Sequence, residues 1–507
     1  GSVLGASDGV GTVQITNTGG TTFTTTVGNT ANTLALINID QDTTFSGSVE
    51  ATAINNAAST TATFSDNVTA TITNSGTLLF NTSADKSVTG TISEAAGGDT
   101  TEIKVIDSAD GAPATVTFTA TVAADTLTVG TTSKAGAALF EDDVTVPAIN
   151  ITGANSGDEN STVTFNKAVT ATTIVLDDSG IAGKAKVIFA AANTATITGT
   201  INGSATTEGS IQITGATKTF ASIIGGSNPL TLIDIDGTSI FNAAVSATNI
   251  DNDGTATFKS DVTAATANDG TLTLTPNGNN NITHTGAISG AGTLNAVEAD
   301  DGAVNSVTFS TTVAAATFNV GSTSKSGVVI LNGDTTVTNL NIFAGDVDAE
   351  DSTVTVNGDL DTTTITLDDG TNSAVTKIIF ADSDTVTITG AITAATANDG
   401  TIQVTGANKT FSGTIGGTRI GTLDINETST YTGAVTVDSL DIAANKTATF
   451  KNNVTLNTSA TINSSATFLV TSAGTPAAIT VTGSVLGASD GVGTVQITNT
   501  GGTTFTT

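Results

Sequence analysis

The chain has no Cys, no Met and no Trp, and it carries only five Pro and one His among 507 residues. Without Cys there is neither a disulfide framework nor a thiolate metal site, so stability must come from packing. The single imidazole, His284 in Asn-Ile-Thr-His-Thr-Gly, leaves no multi-His metal centre and only one place for a Ser/His/Asp relay. Basic residues are scarce as well, with 14 Lys and Arg against 46 Asp and Glu for a net charge of −32, which repels nucleic acid and anionic lipid. No apolar run approaches the ~18 residues of a membrane span. The expectation is a chain that inserts in no membrane and binds no nucleic acid.

What is present is β-branched and small. About one residue in five is Thr, with Val, Ile, Asn and 54 Gly, a mixture that favours strands joined by tight turns and opposes long helices. With 38% apolar residues the chain has enough to bury, so it should fold rather than stay disordered. The fold class is all-β.

An aromatic residue followed four places later by Val or Ile recurs along the chain. Examples are Phe45-Ser-Gly-Ser-Val49, Phe64-Ser-Asp-Asn-Val68, Phe140/Val144, Phe165/Val169, Phe241/Val245, Phe309/Val313, Phe343/Val347, Phe411/Ile415, Tyr431/Val435 and Phe450/Val454. Each reads as strand, turn, strand. Neighbouring signatures stand about 17 to 25 residues apart where none is skipped, and larger gaps such as Phe64 to Phe118 are near multiples, which predicts a parallel β-helix, or β-solenoid, with coils of about 20 residues and Phe stacked on Phe in a narrow core.

Longer periods lie over the coil. Gly209-Ser-Ile-Gln-Ile-Thr214 matches Gly400-Thr-Ile-Gln-Val-Thr405, and Asp177-Asp178 matches Asp368-Asp369, both 191 residues on. Gly1–Thr25 returns without a change as Gly483–Thr507, a shift of 482. Residues 1–482 therefore form one repeat unit, divisible into about five diverged blocks of roughly 96, and 483–507 begin the next. At ~20 residues per coil the unit would hold roughly 24 coils and advance on the order of 115 Å. A solenoid's terminal strand edges invite pairing, so the expected partner is another copy of itself, joined end to end or by covalent continuation.

The run Ala62-Thr-Phe-Ser-Asp-Asn-Val-Thr-Ala70, with its echoes at Ala256–Ala264 and Ala448–Thr455, resembles the β-helical passenger regions of bacterial surface proteins. These are the autotransporters, the rickettsial surface-antigen type and the filamentous-haemagglutinin-like adhesins. The resemblance implies a right-handed parallel β-helix, extracellular or on the cell surface, working as coat, fibre or adhesin. The near-identical long repeat departs from the autotransporter pattern and shifts the expectation toward a filament or surface coat. An adhesin stalk whose binding tip lies elsewhere is the alternative, and a Thr array that binds ice or another surface is a third.

No catalytic constellation is apparent, because carboxylates abound while basic and aromatic partners do not, so an enzyme is not expected. No cofactor is required. Calcium is the one ion suited to the acid-rich turns, at Glu141-Asp142-Asp143, Asp177-Asp178, Asp251-Asn-Asp253, Glu298–Gly302, Asp346–Asp351 and Asp368-Asp369, where clustered charge would otherwise repel itself. Solvated turn acids are the simpler account of each.

Overall fold

The computed structural model describes residues 1–507 except 97–99, 110, 155–158, 180–182, 191, 277–279, 299–304, 346–350, 372–373, 383 and 473–476. Among the described residues every helix or strand is a β-strand, as the Thr- and Val-rich composition dictates. The strands wind into parallel coils of about 22 residues, a β-solenoid. Coils run longer than the 20 expected: Thr115 and Ala137, paired on successive coils, stand 22 residues apart, and Ala137 and Thr162 stand 25 apart. The chain resolves into two compact units, Gly1–Ala256 and Thr257–Thr507.

In the N-terminal unit each coil has three sides, laid down as three short strands or, as in Val68–Asn74, with one strand running along two of them. Thr43–Phe45 pairs in parallel with Thr61–Phe64, which pairs with Thr77–Thr82. The three residues after Phe64 turn the chain, and Val68 then stands between Val49 and Val88. Ile72 follows on the third side, between Ile54 and Ile92. The alternation of the sequence is what puts these residues inside: in Val68–Asn74 every second residue is buried and the Thr between them face out.

The phenylalanines form the ladder that the spacing predicts, but the ladder does not stay on one side. Phe23, Phe45, Phe64 and Phe80 stack nearly parallel at 5.2, 5.2 and 5.5 Å. Val105 then stands on Phe80, and the next ring, Phe118, stands on Val88, one side further along the chain's path. Phe80 and Phe118 meet at 90°, whereas Phe118, Phe140 and Phe165 return to near-parallel stacking at 4.7 and 5.3 Å. A second step follows: Ile213 covers Phe189, Phe220 stands on Ile197, and the two rings meet at 82°. Edge-to-face contact is a favoured aromatic geometry, so the corner crossing keeps the ring energy that parallel stacking supplies elsewhere.

The C-terminal unit repeats the device. His284, Phe309, Leu331, Val356 and Phe380 occupy one column. Val404 covers Phe380, while Phe411 stands on Ile388 and meets Phe380 at 83°. From there Phe411, Tyr431 and Phe450 stack at 5.1 and 5.0 Å. Phe343 is no rung of a ladder. It is half-buried opposite Asp368, and Val347 of its signature lies outside the described residues.

Candidate functional site

Coil corners leave backbone N–H groups beyond the reach of the strand ladders, and such groups need acceptors. The acids and asparagines supply them from the neighbouring coil. Asp42 Oδ1 accepts from Thr61 N at 2.8 Å, Asn67 Oδ1 from Ser87 N at 2.9 Å, Asp85 Oδ1 from Thr115 N at 2.9 Å and Asp261 Oδ1 from Thr283 N at 2.8 Å. A short side chain with an oxygen two bonds from Cβ fits this span. Sequence reasoning missed the role because its signal is a recurring Asp or Asn one coil before the strand it serves.

Of the acids singled out for calcium, Asp143 and Asp369 follow this pattern, and four others accept from backbone N–H groups of their own turn. Asp143 Oδ1 accepts from Ala168 N at 3.1 Å. Asp142 accepts from Asp143 N and stands 3.6 Å from Lys167, and Glu141 beside it is exposed. Asp178 is buried, accepting from Ala185 N at 2.8 Å and pairing with Lys184 at 3.2 Å, while Asp177 accepts from Ser179 N. Their counterparts 191 residues on behave alike. Asp369 accepts from Thr376 N at 2.6 Å and Gly400 N at 2.9 Å, and Asp368 from Gly370 N. Asp251 and Asp253 are exposed, in a row where Asp251 lies alongside Asp234. Burial raises the Asp234 carboxyl above its usual range, and the charges of Asp236, Asp251 and Asp253 push the same way. Among the described residues no three His, Asp or Glu side chains converge as a metal-binding group. Residues 299–302 and 346–350 of the remaining acid clusters lie outside the described residues.

His284 is a core residue. It is 1% exposed, with Val262 below it and Phe309 above. Its Nδ1–H donates to Gly286 O at 3.2 Å and its Nε2 accepts from Thr266 Oγ1 at 3.1 Å, so the neutral ring is fully satisfied. Burial lowers its pKa from 6.5 to about 4. Such a ring is neither exposed to substrate nor poised to take a proton near neutral pH. Two lysines are also interior. Lys218 donates to Asn193 O and Ala216 O at 2.9 and 2.8 Å, and Lys409, 191 residues on, donates to Asp384 O and stands 3.5 Å from Asp382. Burial lowers the pKa of Lys218. Both lysines open the strand that carries the first ring after a ladder step, Phe220 and Phe411.

Two surface recesses have volumes near 540 and 470 Å³. Thr273, Asn295, Glu298, Asn319 and Phe343 line the first, and Thr18, Asp40, Gln41, Asp42 and Ser59 the second; neither holds a His or Lys. Among the described residues no helix is long and apolar enough to cross a membrane.

Two strands of the repeated segment recur in both copies, in different company. Thr12–Ile15 and Thr21–Phe23 pair with the coil that follows them, through Leu36–Ile39 and Thr43–Phe45. Thr494–Ile497 and Thr503–Thr506 pair with the coil that precedes them, through Thr467–Val470 and Ile479–Thr482. One sequence thus offers both of its edges to parallel pairing.

No protein-family description, no curated protein and no solved structure matches this chain.

Proposed function

We propose that this is a structural protein, forming an extracellular filament or cell-surface coat by continuation of β-solenoid repeats along the coil axis. The observation that carries the reading is the Gly1–Thr25 segment, which pairs with a following coil in one place and, as Gly483–Thr507, with a preceding coil in the other. The chemistry-bearing groups support it from another side, since His284 is sealed in the core and turn acids such as Asp178 and Asp369 are occupied with backbone donors. The likeness of Ala62–Ala70 and its echoes to bacterial surface passengers points the same way for location. The outward rows speak against a regular Thr array, because Thr117, Leu139, Thr164 and Ile188 succeed one another on one of them.

Antibody raised against the folded chain, applied to intact cells that make the protein and viewed by gold labelling, tests the reading. Label along filaments or over the outer surface is expected. Label confined to the cell interior after permeabilisation would overturn it.

A further inference from the structure

Each copy of the repeated segment shows what belongs on the open side of the other. In the first copy Val13 and Ile15 pair with Ile37 and Ile39, and Phe23 stacks on Phe45 at 5.2 Å. Gln14 Nε2 donates to Asp40, and Asn38 Nδ2 donates to Gln14 Oε1 at 2.8 Å. Under that cover Ile15 is 4% exposed. In the second copy Val495 and Ile497 pair only backward, with Phe468 and Val470, and Phe505 pairs with Val481. There Ile497 is 50% and Phe505 43% exposed.

We infer that, where one repeat runs covalently into the next, the coil 483–507 is at the same time the first coil of that next repeat and takes the place against its residues 26–56 that Gly1–Thr25 holds here, in the same register. Ile497 then meets Ile39, Phe505 stacks under Phe45, and Gln496 donates to Asp40. The occupant is fixed by identity of sequence, because the same 25 residues already bind that coil.

The junction is also a ladder step. Ile497 closes the column of Phe450 and Val470, as Ile213 covers Phe189 and Val404 covers Phe380. Phe505 starts a new ring column on Val481, so the ladder of each new copy resumes one side further along the chain's path. The Gly-x-(Val/Ile)-Gln-(Ile/Val)-Thr sequence is the element that hands the ladder over in all three places. Its glutamine bridges forward each time a following coil is present: Gln212 to Asp236 at 2.9 Å, Gln403 to Asp424 at 2.7 Å, and Gln14 to Asp40. The inference rests on the continuation reading and adds to it the register and the handover.

The chain has no Cys, so engineered pairs report cleanly. The test uses a tandem chain in which residues 1–482 are followed directly by the complete chain. One variant carries Leu469→Cys in the first unit and Gln14→Cys in the second; another carries Gln14→Cys and Asn38→Cys, both in the second. Paired residues on neighbouring parallel strands lie about 4.8 Å apart, within disulfide reach, whereas positions two coils apart do not. Both pairs are expected to close under mild oxidation, read by mass spectrometry of linked peptides. A third variant pairing Leu469→Cys with Asn38→Cys across the junction coil should stay reduced. Closure of only one of the first two pairs would show the junction coil peeled from a neighbour and overturn the inference, as would equal closure of the third. Gln14→Cys with Asn38→Cys in the 507-residue chain checks the chemistry. The cross-links read single molecules, so they can form where no filament does, and filaments with an unlinked junction would sink the register alone.

Discussion

Phe140 lies between Phe118 and Phe165 with almost no exposure, and removing its ring leaves a hole that two flanking coils cannot fill. Phe140→Ala is expected to cost about 3–5 kcal/mol, felt mainly in the adjoining coils because a solenoid's contacts are with nearest neighbours. Amide exchange should show the loss at Ala137–Phe140 and in the strands ending at Phe118 and Phe165; a change below about 1 kcal/mol there would contradict the ladder account. His284 gives a pH dependence whose sign follows from its burial. Its folded pKa of about 4 lies under the unfolded value of 6.5, so the unfolded chain binds the proton first. Its contribution is complete above pH 6.5 and falls by roughly 3 kcal/mol as pH drops toward 4. As the chain's one histidine it gives a single imidazole resonance, which should stay neutral down to about pH 4, and His284→Phe should remove that part of the acid sensitivity. The turn acids yield a further expectation. Because Asp178 and Asp369 already accept backbone and lysine hydrogens, EDTA and added calcium should leave thermal unfolding unchanged, and a rise of several degrees with calcium would show a bound ion. Residue by residue, the sequence made the Phe and Val rungs legible through their spacing. It hid the structural use of the acids, which depends on what the next coil brings alongside.

At the scale of the element, the ladder step was the feature that spacing could not show. All three sides of the coil carry the same alternation of β-branched and small residues, so a one-dimensional period cannot tell on which side a ring lands. A trace is there in retrospect. Phe80, Phe189 and Phe380, the last rings before three of the steps, lack the Val or Ile four places on, whereas Phe258 and Phe450, before two others, keep Val262 and Val454. Two of the steps, those after Phe189 and Phe380, also have a close approach at their start, where the step after Phe80 has Thr101. Gly209 and Gly400 hold φ of +74° and +77°, and a Cβ on Gly400 would lie 2.5 Å from Leu367 Cβ, with Leu176 in the same place for Gly209. Gly400→Ala should therefore cost roughly 2 kcal/mol or more and loosen the coil between Phe380 and Phe411. Gly417→Ala is the matched control, since its nearest neighbour is Thr393 Oγ1 at 3.4 Å, and it should stay within about 0.5 kcal/mol. Equal effects at the two sites, measured by denaturant unfolding, would remove the glycine from the step's mechanism.

At the scale of the molecule, the identity of Gly1–Thr25 with Gly483–Thr507 was legible from sequence, and the structure adds that both copies fold as coil strands. With about 22 residues per coil instead of 20, a 482-residue period holds about 22 coils instead of 24. Electron cryomicroscopy of the native material, at a resolution that separates strands, measures this directly. The account predicts layers about 4.8 Å apart running unbroken through the repeated segment, with about 22 layers to each 482-residue period along a filament. Separate particles of one unit, or filaments whose layers stop at the repeated segment, would contradict it.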